Sequence, residues 1–64
     1  MVMMGVVKFF NILKGFGIIR DENSDQEFYV HLHNLINPIK ANDLVEFELK
    51  KTKEGLTPIK VRVV

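Results

Sequence analysis

Apolar residues in this chain recur at every second position, in short runs that turn residues soon stop. Val45, Phe47 and Leu49 alternate with Glu46, Glu48 and Lys50, and Ile59, Val61 and Val63 alternate with Lys60 and Arg62. A period of two belongs to a half-buried strand. Gly-Val-Val-Lys-Phe-Phe at 5–10 is β-branched and aromatic and reads as a strand; so does Phe16 to Arg20. Turns are expected at Asn11–Gly15, at Ala41-Asn42-Asp43 and at Lys53-Glu54-Gly55, where a hairpin tip fits. Pro58 suits a strand start. Asp21 to Gln26 is a polar loop, and Asn37-Pro38 ends whatever precedes it.

Residues 27–36 admit two readings. Ser24-x-x-Glu27 has the form of a capping box, and Phe28, Leu32, Leu35 and Ile36 then fall on one helical face. The same residues also alternate, and Phe28-Tyr29-Val30 favours a strand on propensity. With the strand, the chain holds five short strands separated by turns, which predicts an all-β barrel or sandwich.

Length bounds the function. Sixty-four residues make one small domain, 1–64, and a chain this short buries only about 60% of its unfolded surface. The 47% hydrophobic and 27% charged content is that of a folded globule. There is no cysteine, which excludes disulfides, thiolate metal sites and a Cys nucleophile and fits a reducing compartment. No run approaches the ~20 apolar residues of a membrane span, and the first residues lack the basic start of a leader. The expectation is a cytoplasmic protein.

The net charge of +1 hides a segregation: residues 1–20 carry +3, residues 21–30 carry −4 and residues 31–64 carry +2. A duplex binder relying on phosphate neutralisation would be more basic. Five of the six aromatics lie between positions 9 and 29, interleaved with Lys8, Lys14 and Arg20. If 16–20 and 28–32 are strands, Ile19, Phe28 and Val30 point inward. Phe16, Tyr29 and His31 then point outward beside lysines. Exposed π-faces next to cations suit unpaired bases and their phosphates. The competing reading is that these aromatics are core.

The same residues resemble a known family. Lys8-Phe9-Phe10-Asn11, Lys14-Gly15-Phe16-Gly17-Ile18-Ile19 and Tyr29-Val30-His31 are similar, in order and spacing, to the K-W-F-N, K-G-F-G-F-I and F-V-H-F elements of the bacterial cold-shock domain. Weaker similarity continues through Val45-x-Phe47-Glu48 to the C-terminus. The resemblance implies a five-stranded antiparallel Greek-key barrel of the OB type that binds single-stranded RNA or DNA, and it makes residues 27–32 a strand. It implies a stacking platform of Phe9, Phe16, Tyr29 and His31, with Ile18 and Leu32 where the family usually has Phe. Lys8 and Lys14 would meet phosphates or base edges, Glu27 would hydrogen-bond a base, and Phe10 would belong partly to this surface and partly to the barrel. Phe9 stands where the family has Trp, and the segment between Leu35 and Val45 is about four residues short. Two or three lost aromatic faces at ~1 kcal/mol each predict binding roughly 30- to 150-fold weaker than a full set gives.

Other chemistry has less support. His31-x-His33 could begin a metal site, but no third ligand is evident. The acids of 21–27 lack the glycine and terminal Glu of a calcium loop. No residue pairs as nucleophile with a base, and Gly15 and Gly17 lack the G-K-[ST] ending of a phosphate loop. The sequence therefore predicts a binding module with single-stranded RNA or DNA as partner, acting in the manner of an RNA chaperone. No enzyme, cofactor, small-molecule substrate or membrane partner is expected. The alternative is an OB-type protein-interaction module, or a weak homodimer, in which Ile18 and Leu32 form an apolar contact patch.

Overall fold

A computed structural model describes residues 2–64. Its strands are β1 (Met3–Asn11), β2 (Phe16–Asp21), β3 (Glu27–His31), β4 (Leu44–Thr52) and β5 (Gly55–Val63), with a 3-10 helix at Leu32–Asn34 after β3. The five strands pair with one another antiparallel, in the order β3-β2-β1-β4-β5. β1 to β3 form a meander. The chain then returns to lay β4 on the free edge of β1, which is a Greek-key path.

The strand reading of residues 27–31 is the one that forms, and the helical pattern survives only as the single 3-10 turn. The capping-box signature misleads because the Ser24 hydroxyl accepts from Gln26 N–H (3.1 Å) in a local turn. Asp21 does the same for Asn23 N–H (2.9 Å), so this polar loop is held by its own side chains.

Val7, Ile19, Phe28, Val30, Ile39, Val45, Phe47 and Val61 fill the interior, with Met3, Phe10, Leu35 and Leu49 packed against them. Phe28 and Phe47 meet edge-on at 5.8 Å. Val45, Phe47 and Leu49 turn inward as the alternation predicts, although Leu49 is only partly buried. In β5 the strict alternation fails. Glu46 opposes Arg62 but Glu48 opposes Ile59, so Phe47 faces both Lys60 and Val61. Lys60 takes a left-handed φ of 52° at this bulge. Pro58 and Val61 are consequently the buried pair, while Ile59 is half-buried and Val63 exposed. Pro58 lies inside β5 opposite Leu49, not at its start. It is tolerated because β5 is the last strand in the order, an edge position where a proline is accommodated.

The segment after the 3-10 helix closes the barrel. Leu35 bridges Val61 in parallel, Ile36 N–H donates to the Val61 carbonyl (2.6 Å), and Val63 N–H donates to Asn37 Oδ1 (3.1 Å). At the end of this segment Ile39 enters the core.

Candidate nucleic-acid interface

The outer face of β1–β3 is set by a bulge. Val7 opposes Ile19, but Phe9 opposes Ile18, so Lys8 is the extra residue. An unbroken strand would put Phe9 on the same side as Val7, inside the barrel. The bulge reverses that parity. Lys8 and Phe9 both face outward, Phe9 with 42% of its surface exposed, and Phe10 turns in against the core. Gly17 makes this crossing possible. A Cβ on Gly17 would lie 2.4 Å from the Phe9 carbonyl oxygen and 2.6 Å from Phe10 Cδ1.

Register then aligns the outward residues in rows. Phe9, Ile18 and Tyr29 form one row across β1, β2 and β3, and Asn11, Phe16 and His31 form the next. Phe16 and Tyr29 lie diagonally and stack, with centroids 5.2 Å apart and planes 4° from parallel. Phe9 meets Phe16 edge-on at 5.8 Å, and His31 meets Tyr29 at 5.1 Å. Tyr29 is 48% exposed, and Phe16 and His31 are half-buried by their neighbours. Core burial is thus carried by Ile19, Phe28 and Val30, and the alternate residues of the same strands are left for the surface. The alternation in β2 and β3 had indicated this division.

The flanking groups lie close by. Lys14 and Gly15 occupy the β1–β2 turn. Asn11 ties the turn down: its carbonyl accepts from Gly15 N–H (2.8 Å) and its Oδ1 from Lys14 N–H (3.0 Å). Gly15 has φ 75°, a conformation that suits glycine, and its carbonyl accepts from Leu32 N–H (2.9 Å). That bond holds the half-exposed Leu32 next to the turn. Lys8 and Glu27 have separate roles in the sequence reading, yet here they form one ion pair, Nζ to Oε2 at 2.7 Å. Both are substantially exposed, so the pair is worth ~0–1 kcal/mol and a phosphate can compete for Lys8. Phe10 is half-buried and faces both ways: it supports the core and lines an apolar groove with Ile12, Leu32 and Ile36.

Two features of this face escape local sequence reasoning. One is the Lys8–Glu27 pair, nineteen residues apart in sequence. The other is the stacking of His33 on His31: the sequence sets these two imidazoles together only as a possible metal pair on one strand, whereas His33 lies in the 3-10 turn. Among the described residues no three His, Cys, Asp or Glu side chains come together as a metal site. None of the described helices is long and apolar enough to cross a membrane.

Residues 3–64 match the 'Cold-shock' DNA-binding domain family. The chain belongs to the cold-shock domain family. It is 37% identical over 57 residues to the major cold shock protein of Micrococcus luteus, covering 83% of this chain and 85% of that protein. It is 33% identical over 64 residues to a probable cold shock protein of Mycolicibacterium smegmatis, covering 94% and 96%. Among solved structures, drosophila Unr CSD456 superposes with a TM-score of 0.81 at 21% identity, over all of this chain and 27% of that one. That likeness concerns the fold alone, and it agrees with the five-stranded Greek-key OB-type architecture.

Proposed function

We propose that this cold-shock domain binds short single strands of RNA or DNA with little sequence preference. Bases stack on the outer face of β1–β3, and weak hairpins shift toward the open form without catalysis. The site comprises Phe9, Phe16, Tyr29 and His31 as stacking faces, Ile18 and Leu32 as apolar contacts, and Phe10 at its margin. Lys8 and Lys14 meet phosphates, and Glu27 meets a base edge. The observation that carries this reading is the parallel Phe16–Tyr29 stack lying outside a barrel whose core is already filled. A stacked aromatic contributes about 1–3 kcal/mol per base and accepts any base, because every base has a π-face. A duplex hides those faces, and a net charge of +1 gives little purchase on its phosphates.

Opening follows from mass action. At a free protein concentration ten times Kd, one bound protein stabilises the open strand by about 1.4 kcal/mol, roughly one base-pair step of DNA. Only weak hairpins respond, unless several proteins share a strand. Such an activity needs no cofactor and suits the cytoplasm. The self-association alternative has no observation of its own: Ile18 lies between Phe9 and Tyr29 in the platform row, so its contact patch would be this same surface.

The test is a hairpin of three or four base pairs with a fluorophore and quencher at its ends. Fluorescence should rise with protein concentration and saturate, and Tyr29→Ala should shift the curve to higher concentration. A folded protein that leaves the hairpin closed at ~100 μM would refute the proposal.

A further inference from the structure

The aromatic array continues past the end of β3. The 3-10 turn brings His33 over His31, with centroids 5.5 Å apart and planes 13° from parallel. Phe16, Tyr29, His31 and His33 therefore follow one another at 5.2, 5.1 and 5.5 Å. A surface groove runs beside the last members. The two imidazoles form one wall, and Lys50, Glu54 and Thr57 of the β4–β5 hairpin stand on the other. The neighbouring depression shares His31, Glu54 and Thr57 and leads back to Tyr29. The groove is thus continuous with the platform but differs from it in chemistry. The charged and titratable groups facing the imidazoles are Tyr29 on β3, Lys50 on β4 and Glu54 in the hairpin turn.

We propose that His33, together with His31, Lys50 and Glu54, forms one further nucleotide subsite at the 3-10 end of the platform, and that this subsite strengthens as pH falls. The inference rests on the platform's being a single-strand binding surface. His33 is exposed, so its ring can offer a base a π-face. Imidazole is also the side chain whose ordinary titration falls between pH 5 and 8. With both rings neutral, Lys50 is the one cation among the described residues lining the groove, on the same wall as the Glu54 carboxylate, and the groove has little to offer a phosphate. With the rings charged, two adjacent cations repel each other, and a phosphate in the groove beside them relieves that repulsion. Binding at this end therefore takes up protons, while binding on Phe9, Phe16 and Tyr29 does not.

The test is fluorescence anisotropy with labelled oligothymidines of four to eight residues at pH 8 and pH 6, using the full chain and its His33→Ala and His33→Phe variants. For the wild type, the longest strand should gain roughly two- to fivefold in affinity on going from pH 8 to pH 6, as an exposed charge contact with a phosphate gives, and the shortest should gain least. Its salt slope at pH 6 should steepen by about 0.7 per phosphate met. His33→Ala should remove the length-dependent gain. His33→Phe should keep affinity at pH 8 but lose His33's share of the steepening. If wild type and His33→Ala bind the longest strand alike at both pH values, the subsite does not exist, although the platform stands. If folded wild type binds no strand at either pH, the platform reading fails and the subsite with it.

Discussion

Phe28 and Tyr29 are adjacent in sequence and opposite in role, and replacing each by alanine separates core from surface. Phe28 is 4% exposed and packs on Phe47 inside the barrel. Its removal costs about 3–5 kcal/mol. A domain of 64 residues has roughly 3–10 kcal/mol of stability in all, so Phe28→Ala forfeits from about a third to all of it and unfolds at 25 °C when the total is below about 5 kcal/mol. Tyr29 leaves about half of its surface in water. Full burial of such a ring is worth about 1.5–3 kcal/mol, so Tyr29→Ala forfeits about 1 kcal/mol of burial, with up to ~1 more from the Phe16 stack. Tm should fall by roughly 4–16 °C and the circular-dichroism spectrum should remain native. The larger effect should be on binding, about 1–3 kcal/mol, or roughly 5- to 150-fold in Kd. Thermal denaturation and anisotropy titration on the same samples give both numbers. A folded Tyr29→Ala that binds a single strand as tightly as wild type would refute the reasoning, and so would a Tyr29→Ala that loses as much stability as Phe28→Ala.

Gly17→Ala places a methyl within 3 Å of the β1 backbone, so the strands must part at the bulge; a loss of about 1–3 kcal/mol of stability is expected in chemical denaturation, with weaker strand binding alongside. Binding should have a shallow salt dependence, with log K against log[salt] sloping about −1.4 to −2.1 for two or three phosphates. Lys14→Ala should reduce the slope by about 0.7, and a wild-type slope near −6 would indicate electrostatic wrapping instead. The Lys40 backbone N–H (3.0 Å), and after it the Lys40 ammonium (3.1 Å), hold the Asp43 carboxyl below the usual carboxylate range. That stabilisation is present above the unfolded value near pH 4 and is lost as pH falls through the lower folded value. Tm measured from pH 6 to pH 2 should therefore decline less steeply in Asp43→Asn than in wild type.

Much of this architecture is legible in local pattern because burial on one face imposes a period of two. Val45-x-Phe47-x-Leu49 turns inward as written, and the inward Ile19, Phe28 and Val30 leave Phe16, Tyr29 and His31 outside. What local pattern misses is tertiary. Period two puts Phe9 inside with Val7, and only the bulge at Lys8 brings it out. A bulge is set by how β1 must curve between β2 and β4, which the residues of β1 alone do not encode. The bulge at Lys60 likewise exchanges Ile59 for Pro58 in the interior. Ile36-Asn37-Pro38-Ile39 has no periodicity, yet it bonds to β5 and supplies Ile39 to the core. The resemblance to the cold-shock domain aligned the elements and removed the helix alternative for 27–32. It could not show that Lys8 and Glu27 hold each other, because that contact depends on the packing of β1 beside β3's partner strand.

The central claim is that an exposed aromatic face reads unpaired bases. Its most direct test is fluorescence anisotropy of a labelled oligothymidine heptamer beside a matched duplex. The account predicts saturable micromolar binding to the single strand and much weaker binding to the duplex. Equal affinity for both, or no binding to thymidine or mixed-sequence RNA strands at ~100 μM by protein shown to be folded, would contradict it.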